Sequence, residues 1–401
     1  MIIDSFTMNF DKPVTGQLAV EASYKMGDKI FKIKLVSTFE SKVGSGEIKK
    51  TLDLVGDAQT GLIENLGEDV AAMNWDEIQR HLAAFGDEKT CQLQKDGFAA
   101  FSAGDVSIPK VIHLQFQEER GDLHFKGAHR HGSDIYVFKI ATGFPNNTER
   151  GLSVTNGLMI AFSALTGQAL VVLKDEGNLT DLRTAIAGRI AAEELMPAEE
   201  LKAIGVLGTG VQARLQLQQL GSLYPNCRQL VVWGRNNANA RLYAEEMGNN
   251  SWQVTVVDSP GEVAEKANLI VTTTAAENAL LGADAKYLPH TVIIAIGADM
   301  PGKIELSAEL LRKADTVLID SIAQGKDHGN ASEALKSAVI QEEDLQEFGD
   351  YIAHGYKNSK TDRRLEIFLS SGIGVQDLQI VAAVIAGSLG DSLGDTDKLA
   401  N

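Results

Sequence analysis

A glycine-rich turn between an apolar run and an amphipathic stretch is the part of this sequence best suited to bind a phosphate group. The run Ile204 to Leu207 leads into Gly208, Gly210 and Ala213, which have Gly-x-Gly-x-x-Ala spacing. The first glycine permits a tight turn, the second lets a pyrophosphate approach the backbone, and the alanine lets a helix pack closely on the strand. The N-terminus of that helix offers free N–H groups to phosphates. The sequence therefore predicts a dinucleotide site, with a purely structural turn as the alternative.

The residues after the next apolar run indicate which dinucleotide is bound. A second strand is predicted over Gln229 to Trp233, and Gly234-Arg235-Asn236 follows it. Sites for NAD(H) usually have a carboxylate here for the ribose 2′-hydroxyl, whereas a guanidinium suits a 2′-phosphate. We therefore expect NADP(H) to be favoured over NAD(H), with a solvated surface arginine as the alternative. The predicted cofactor-binding residues are Gly208, Thr209, Gly210, Val211, Gln212, Arg235, Asn236, Thr273 and Thr180.

Three charged residues stand in apolar surroundings. Lys139 lies within the apolar run 135–140, Arg183 lies within the alanine- and leucine-rich stretch 179–185, and Asp299 follows the apolar run that ends at Ile296. Burying an unpaired charge is unfavourable, so these residues are candidates for binding or catalysis. The alternative for each is a structural ion pair or a side chain that reaches water.

Length and composition limit the classes of protein that fit. The chain has 401 residues, of which 44% are hydrophobic, so it can form two or more domains. A net charge of −17 argues against nucleic acid and against anionic membranes as partners. Cys91 and Cys227 have no metal-ligand or redox spacing, which suits a reducing compartment. No secretory signal and no apolar run near the ~20 residues of a membrane span are recognised. We expect a cytoplasmic protein.

The pattern between residues 190 and 330 alternates short apolar runs with amphipathic stretches. This alternation is typical of an α/β fold with a Rossmann-type, doubly wound parallel sheet. The predicted strands are 203–207, 229–233, 252–257, 268–272, 291–296 and 315–319. The predicted helices are 211–222, 237–247, 260–266 and 305–312.

A second domain is predicted on both sides of this one. Short alternating segments over 100–175 indicate an antiparallel or mixed sheet. Helices are predicted near 74–102, with a break at Gly86, near 178–195, and from Val375 to Leu389. Three domains are therefore predicted. Residues 1–67 form an N-terminal extension, and residues 191–331 form the nucleotide-binding domain. The latter is inserted in an α+β domain made of residues 68–190 and 332–401.

The N-terminal extension contains a candidate repeat. Phe31-Lys-Ile33 and Asp57-Ala-Gln-Thr-Gly61 resemble Phe138-Lys-Ile140 and Ser163-Ala-Leu-Thr-Gly167, with nearly equal spacing. Either part of the sheet was duplicated or two similar hairpins arose by chance.

Six separated motifs occur in the order found in one family. They are Lys139-Ile-Ala-Thr-Gly-Phe-Pro-Asn-Asn147, Arg150-Gly-Leu152, Thr180-Asp-Leu-Arg-Thr184, Gly208-Thr-Gly-Val-Gln-Ala-Arg214, Gly297-Ala-Asp-Met-Pro-Gly-Lys303 and Asp320-Ser321. With these motifs the chain resembles the ornithine cyclodeaminase/μ-crystallin family over about residues 68 to 390. The resemblance implies a Rossmann domain inserted in a substrate-binding and dimerisation domain, and hence a homodimer.

The resemblance also implies roles for individual residues. Lys139 and Arg183 match the lysine and arginine that hold the substrate carboxylate, and Asp299 matches the aspartate that faces the substrate nitrogen. Where the family commonly has an arginine after a proline, this chain has Lys110, which lacks the planar fork. Lys126 is a further candidate for that contact.

The reaction implied is reversible hydride transfer between NADP(H) and the α-carbon of a small amino or imino acid, as in ketimine reductases and amino acid dehydrogenases. An ornithine cyclodeaminase, which forms proline and ammonia and recycles its cofactor, is the first alternative. A non-catalytic crystallin-like binding protein is the second, against which the presence of Lys139, Arg183 and Asp299 argues. A methyltransferase conflicts with the full motif set. His129 and His131 form a His-x-His pair, but we expect no metal because no further ligand has suitable spacing.

Overall fold

The computed structural model describes residues 6–7, 17–26, 29–41, 48–55, 70–357 and 364–389. The chain divides into two compact units. The first is drawn from residues 1–78, 109–126 and 133–175, and the second from residues 79–108, 127–132 and 176–401. The limits of these units differ from the predicted domain limits at residues 67, 190 and 331, which stay a prediction.

The N-terminal strands of the first unit form a sheet of their own. The strands are β1 (Phe6–Thr7), β2 (Gln17–Met26), β3 (Lys29–Ser41) and β4 (Ile48–Val55), paired antiparallel in the order of the sequence. The segment Phe31 to Ile33 of the candidate repeat lies in β3. Its other segment, Asp57 to Gly61, lies outside the described residues, so the repeat stays a prediction.

A second sheet follows in the chain. Its strands β5 to β11 are Ala71–Asn74, Val106–Ser107, Ile112–Phe116, Gly121–Arg130, Ile135–Gly143, Thr155–Ser163 and Ala169–Lys174. Strands β8 to β11 are neighbours in sequence order. β9–β10 and β10–β11 are antiparallel pairs, whereas β11 pairs parallel with β5. β6 pairs with the end of β8, within the second unit. The predicted mixed sheet is therefore confirmed.

Four further helices lie outside the strand–helix alternation described next. They are α1 (Trp75–Phe85), α2 (Asp87–Ser102), α3 (Asn178–Leu195) and α11 (Gly374–Leu389). Gly86 separates α1 from α2 with a φ of +99°, a conformation that glycine adopts without strain. The predicted helices and the break between them are confirmed. No helix among the described residues combines the length and apolar character needed to cross a membrane.

The remaining elements of the second unit alternate as predicted as far as Ile319, and the elements after that residue were not predicted. The strands β12 to β19 are Ile204–Leu207, Gln229–Trp233, Gln253–Val256, Leu269–Thr272, Thr291–Ala295, Thr316–Ile319, Leu345–Glu347 and Leu365–Leu369. The helices α4 to α10 are Val211–Leu223, Asn237–Asn249, Pro260–Lys266, Ala308–Lys313, Ile322–Gly325, Asn330–Lys336 and Phe348–His354.

These strands form one parallel sheet of eight, in the order β14-β13-β12-β15-β16-β19-β17-β18. Every pair in it is parallel, which confirms the Rossmann-type fold. The sheet does not end at residue 331, where the sequence analysis placed the domain limit. β19 inserts between β16 and β17, and its five residues are all buried. A short fully buried strand shows no alternation, so its pattern alone did not reveal it.

Candidate cofactor and substrate site

The glycine turn after β12 has the geometry that its sequence predicts. Gly208 has a φ of +113°, and a Cβ at this position would lie 2.6 Å from Thr273 Oγ1. The Gly208 N–H donates to Trp233 O at 2.9 Å, and the Thr273 N–H donates to Leu207 O at 2.9 Å. Only glycine fits this turn, because both its backbone conformation and its close contact exclude a side chain.

The N-terminus of α4 is open. Gly210 precedes the helix without a side-chain cap, and a Cβ at Gly210 would meet nothing within 4 Å. Val211, in the first turn, is 58% exposed although it is apolar. Uncapped N–H groups with free space in front of them suit an anion, so the residues of this turn fit the pyrophosphate of a dinucleotide.

Arg214 supports the glycine turn. Its Nη1 donates to Thr209 O at 2.7 Å and to Gly210 O at 3.1 Å. Its Nε and Nη2 donate to the Glu246 carboxylate at 2.9 Å and 2.5 Å, and these hydrogen bonds lower the pKa of Glu246. Arg214 ends the glycine-turn motif in the sequence, but the motif alone predicted no role for it.

Gln212 and Asp181 connect α4 to α3. Gln212 Nε2 donates to Asp181 Oδ1 at 3.0 Å and to Asp181 O at 3.1 Å. Gln212 therefore has a structural partner in addition to its predicted cofactor contact. Thr180 lies in the same first turn of α3, next to Asp181.

Arg235 and Asn236 follow β13. Arg235 is exposed. The Asn236 side chain accepts hydrogen bonds from the N–H groups of Ala238 and Asn239, at 2.9 Å and 3.3 Å, and so caps α5. Helix capping is a sufficient structural reason for an asparagine at position 236. Among the described residues, Arg235 has no such capping contact.

Glu305 is a buried acid that the sequence analysis did not select. It is fully buried, and its carboxylate accepts four hydrogen bonds from neutral donors. Oε1 accepts from the Thr274 N–H and hydroxyl at 2.6 Å and 2.8 Å, and Oε2 accepts from the Thr272 hydroxyl and the Gly297 N–H at 2.7 Å and 2.8 Å. Burial raises the pKa of Glu305, while the hydrogen bonds oppose this effect.

Asp299 lies in the loop after β16. Its side chain is 49% exposed, and Oδ1 accepts from Lys303 Nζ at 2.6 Å. Gly297, two residues earlier, is bonded to Glu305. Asp299 thus follows the carboxyl end of β16. Thr273 follows the carboxyl end of β15, the parallel neighbour of β16 in the sheet.

Arg183 is buried in α3 and is partly paired. Its Nε donates to Asp377 Oδ1 at 3.1 Å and its Nη1 to Gln376 Oε1 at 3.2 Å, both at the start of α11. Its Nη2 has no acceptor among the described residues. The guanidinium is therefore held through Nε and Nη1, and its Nη2 donors remain for a ligand carboxylate. The alternative predicted for this residue, a structural ion pair, is present as well.

The loop after β19 packs against the same guanidinium. A Cβ at Gly372, whose φ is +81°, would lie 2.7 Å from Arg183 Nη1. Buried Asp320 accepts from the N–H groups of Ser371 and Gly372, each at 2.7 Å. Asp320, quoted before only as part of a motif, therefore holds the loop that contacts Arg183.

The other predicted substrate residues belong to the first unit. Lys139, on β9 opposite Met159, is only 3% exposed. Lys110 is exposed in the segment before β7, and Lys126 is half-buried on β8. Their predicted contacts with a carboxylate stay predictions.

The histidines have local partners. The rings of His113 and His124 are tilted by 30° with their centroids 4.5 Å apart, and His131 Nε2 lies 2.9 Å from Ser107 Oγ. Within residues 70–357 and 364–389, no three histidine, cysteine or acidic side chains are grouped as metal ligands.

The residues that the sequence analysis missed share one signal. Glu305, Gln376 and Asp377 are polar residues in predominantly apolar surroundings, the criterion that selected Lys139 and Arg183. A polar residue in an apolar stretch is therefore a signal for acids and amides as well as for cations.

A protein-family comparison identifies the chain. The model of the ornithine cyclodeaminase/mu-crystallin family matches residues 77–390. The chain belongs to this family. The predicted resemblance is therefore confirmed, and residues 1–67 lie outside the match.

Members of the family with several activities are similar to this chain. Alanine dehydrogenase of Archaeoglobus fulgidus is 32% identical over 308 residues, which cover 76% of this chain and 91% of that protein. Iminosuccinate reductase of Paracoccus denitrificans is 28% identical, with 69% of this chain and 84% of that protein covered. A solved archaeal alanine dehydrogenase dimer with bound NAD superposes with a TM-score of 0.71 at 26% identity, covering 81% of this chain and 98% of that one.

Proposed function

We propose that this protein is an NADP(H)-preferring enzyme that transfers hydride to or from the α-carbon of a small amino or imino acid. One observation carries the proposal. The open glycine turn, Thr273 and the Asp299 loop all follow the carboxyl ends of the neighbouring strands β12, β15 and β16. The carboxyl edge of a parallel α/β sheet is where such folds bind ligands. The catalysed chemistry of the relatives supports the same conclusion.

The cofactor would be held by the glycine turn. Uncapped N–H groups at Gly210 and Val211 would bind the pyrophosphate, with Thr209 and Thr273 beside it and Thr180, Gln212 and Asn236 as further contacts. Arg235 would bind a 2′-phosphate, because no carboxylate follows β13. A bound nicotinamide supplies the hydride chemistry, which amino acid side chains lack. NAD in the archaeal alanine dehydrogenase makes NAD(H) the alternative cofactor.

Arg183 would hold the substrate carboxylate. Asp377 orients the guanidinium through Nε, so Nη2 and the remaining Nη1 hydrogen are available for a two-point contact. The family resemblance assigns the same role to Lys139, with Lys110 and Lys126 as additional cations.

Asp299 would act at the substrate nitrogen. An iminium carbon accepts hydride better than a neutral imine, so a carboxyl group beside that nitrogen can supply the proton and stabilise the positive charge. Half-exposed Asp299 can reach a ligand, and its carboxylate also accepts a hydrogen bond from Lys303.

Two other functions remain as alternatives. An ornithine cyclodeaminase would convert ornithine to proline and ammonia with no net change of the cofactor. A crystallin-like protein would bind cofactor and ligand without turnover, against which Lys139, Arg183 and Asp299 argue. We also propose a homodimer, as in the archaeal alanine dehydrogenase, in a reducing cytoplasm where Cys91 and Cys227 stay free. Light scattering in solution measures the mass of the assembly.

A substrate panel tests the proposal. The purified protein is incubated with cyclic imines of the proline and pipecolate type, and with alanine, lysine and ornithine, each with both cofactors. Absorbance of the reduced nicotinamide is followed together with release of ammonia. We expect imine-dependent oxidation of NADPH. Ammonia release from ornithine without net cofactor change would favour the cyclodeaminase, and cofactor binding without any turnover would favour the binding protein.

A further inference from the structure

We propose that Glu305 is a positioning residue that holds the Thr273–Thr274 segment against the Gly297–Asp299 loop. It would thereby set the distance between a cofactor contact and the acid–base residue. The inference rests on the function proposed above for Thr273 and Asp299.

The hydrogen bonds of Glu305 reach both loops. Each carboxylate oxygen accepts one backbone N–H and one hydroxyl: Oε1 from Thr274 alone, and Oε2 from Gly297 and Thr272. Thr272 ends β15, and Gly297 follows β16, its parallel neighbour. A single side chain therefore connects the carboxyl ends of two adjacent strands.

The two loops are in backbone contact at this point. A Cβ at Gly297 would lie 2.1 Å from Thr274 O and 2.3 Å from Thr274 N. Thr273, the neighbour of Thr274, contacts Gly208 of the glycine turn. A shift of either loop would therefore move the glycine turn and Asp299 relative to each other.

The backbone of Glu305 is itself held by hydrogen bonds to other segments. Asn330, which is buried, accepts at Oδ1 from the N–H groups of Glu305 and Leu306, at 2.8 Å and 3.0 Å. The Glu305 carbonyl accepts from the N–H groups of Leu280 and Leu281. The carboxylate thus projects from a backbone that has little freedom to follow the loops.

A carboxylate suits this position and an amide does not. Each oxygen of Glu305 faces a backbone N–H, which cannot turn round to accept. In Glu305→Gln, either orientation of the amide therefore places its NH2 against an N–H of Thr274 or Gly297. The substitution keeps the size and shape of the side chain but replaces a hydrogen bond to one of the two loops with a repulsive contact between two donors.

The test compares three variants with the full-length parent. Glu305→Gln disrupts the connection, Thr274→Val removes one hydroxyl donor at nearly constant volume, and Glu309→Gln is the matched control because Glu309 is exposed on α7. Two readouts are taken at a temperature at which circular dichroism shows every variant folded. The first is amide hydrogen exchange of the free protein, and the second is kcat, substrate KM and the hydride isotope effect.

We expect Glu305→Gln to speed exchange at 273–276 and 297–300 but not in α4. It should lower kcat by ~10–100-fold, since a misplacement of about 1 Å can reduce rates by 10²-fold, while substrate KM changes by less than ~3-fold. The isotope effect should rise as hydride transfer becomes slower. Thr274→Val should show a smaller change in the same direction, and Glu309→Gln none.

Two results would overturn the proposal. The first is an unchanged kcat in Glu305→Gln, whether or not exchange increases, because Glu305 would then order the loops without affecting the reaction. The second is faster amide exchange in Glu305→Gln that extends to α4, because the fall in kcat would then follow from a general loosening of the fold. If Glu305→Gln does not fold, Thr274→Val decides by the same criteria. Turnover by the parent protein is measured before any variant is compared. If the parent shows no turnover, the proposed function is wrong, and this outcome is distinct from the two above.

Discussion

The two ends of the eight-stranded sheet each contain a buried glutamate, but its partners differ. At the carboxyl end, Glu305 accepts hydrogen bonds only from hydroxyls and backbone N–H groups. At the amino end, Glu366 accepts from the Tyr356 hydroxyl at 2.5 Å and is also bonded to a group that changes its charge, the imidazole of His290, whose Nε2 lies 3.2 Å away. His290 Nδ1 also lies 2.5 Å from Glu200 Oε2.

Because of this difference, we expect pH to act differently on the two ends of the sheet. The four donors to Glu305 do not ionise over the working range of an enzyme, so in those hydrogen bonds the titrating group is the Glu305 carboxyl itself, whose pKa burial raises. At the amino end, burial lowers the pKa of His290, but the hydrogen bonds that its ring donates to Glu200 and Glu366 outweigh this effect and raise the pKa. We therefore expect substitutions at the carboxyl end to affect activity, and substitutions at the amino end to affect stability and its pH dependence.

Asp299→Asn tests the carboxyl end with the largest expected effect. An amide is nearly isosteric but cannot exchange the nitrogen proton, so turnover should fall by ~10²-fold or more. Affinity for the cofactor should stay near that of the parent, and one limb of the pH–rate profile should disappear. Asp327→Asn, at an exposed site, is the matched control. Parent-like turnover with an unchanged profile would remove Asp299 from the mechanism.

Arg183→Lys extends the test to the loop after β19, at the same end of the sheet. A lysine lacks the planar fork, so it cannot reproduce the Nε contact with Asp377 together with a two-point contact to a substrate carboxylate. We expect kcat/KM to fall by ~10–100-fold, corresponding to ~1.5–3 kcal/mol, with cofactor affinity and fold intact. Near-normal kcat/KM on every active substrate would identify the Arg183–Asp377 pair as purely structural.

Arg235→Ala examines cofactor choice at the end of β13. Loss of a charge-assisted hydrogen bond to a 2′-phosphate should weaken NADPH binding by ~1.5–3 kcal/mol and leave NADH nearly unchanged. Fluorescence titration of both reduced cofactors measures this difference. An equal loss for both would mean that Arg235 does not recognise the 2′-phosphate.

The fold and the local parts of this site were predictable from the sequence, because both depend on short patterns. The turn at Gly208 and the strand–helix alternation after it needed only their neighbours in sequence. The insertion of β19 between β16 and β17 was not predictable in this way, since the pairing of a fully buried strand depends on residues far along the chain. The contacts of Glu305 with Gly297, and of Arg183 with Asp377, are of the same long-range kind.

His290→Gln gives the smallest expected effect and tests the amino end. Protonated His290 donates to both Glu200 and Glu366, whereas neutral imidazole has one N–H and keeps only one of these bonds. Because the pKa of folded His290 is raised, its stabilising effect is fully present below the pKa of the unfolded chain, near 6.5, and is lost as pH rises through the folded pKa. Glu200 is half exposed, so solvent screening limits the effect to ~0.5–1 kcal/mol.

Chemical denaturation of parent and His290→Gln between about pH 5 and 9 measures this effect. The difference in unfolding free energy should be largest at the acidic end and shrink as pH rises, while kcat at neutral pH stays unchanged. His354→Gln is the control, since His354 has a single acidic partner, Asp350, and is 75% exposed. A difference that does not vary with pH would mean that His290 stabilises the amino end by packing alone. A fall in kcat would show that the amino end of the sheet also affects activity, so that the two ends are not independent.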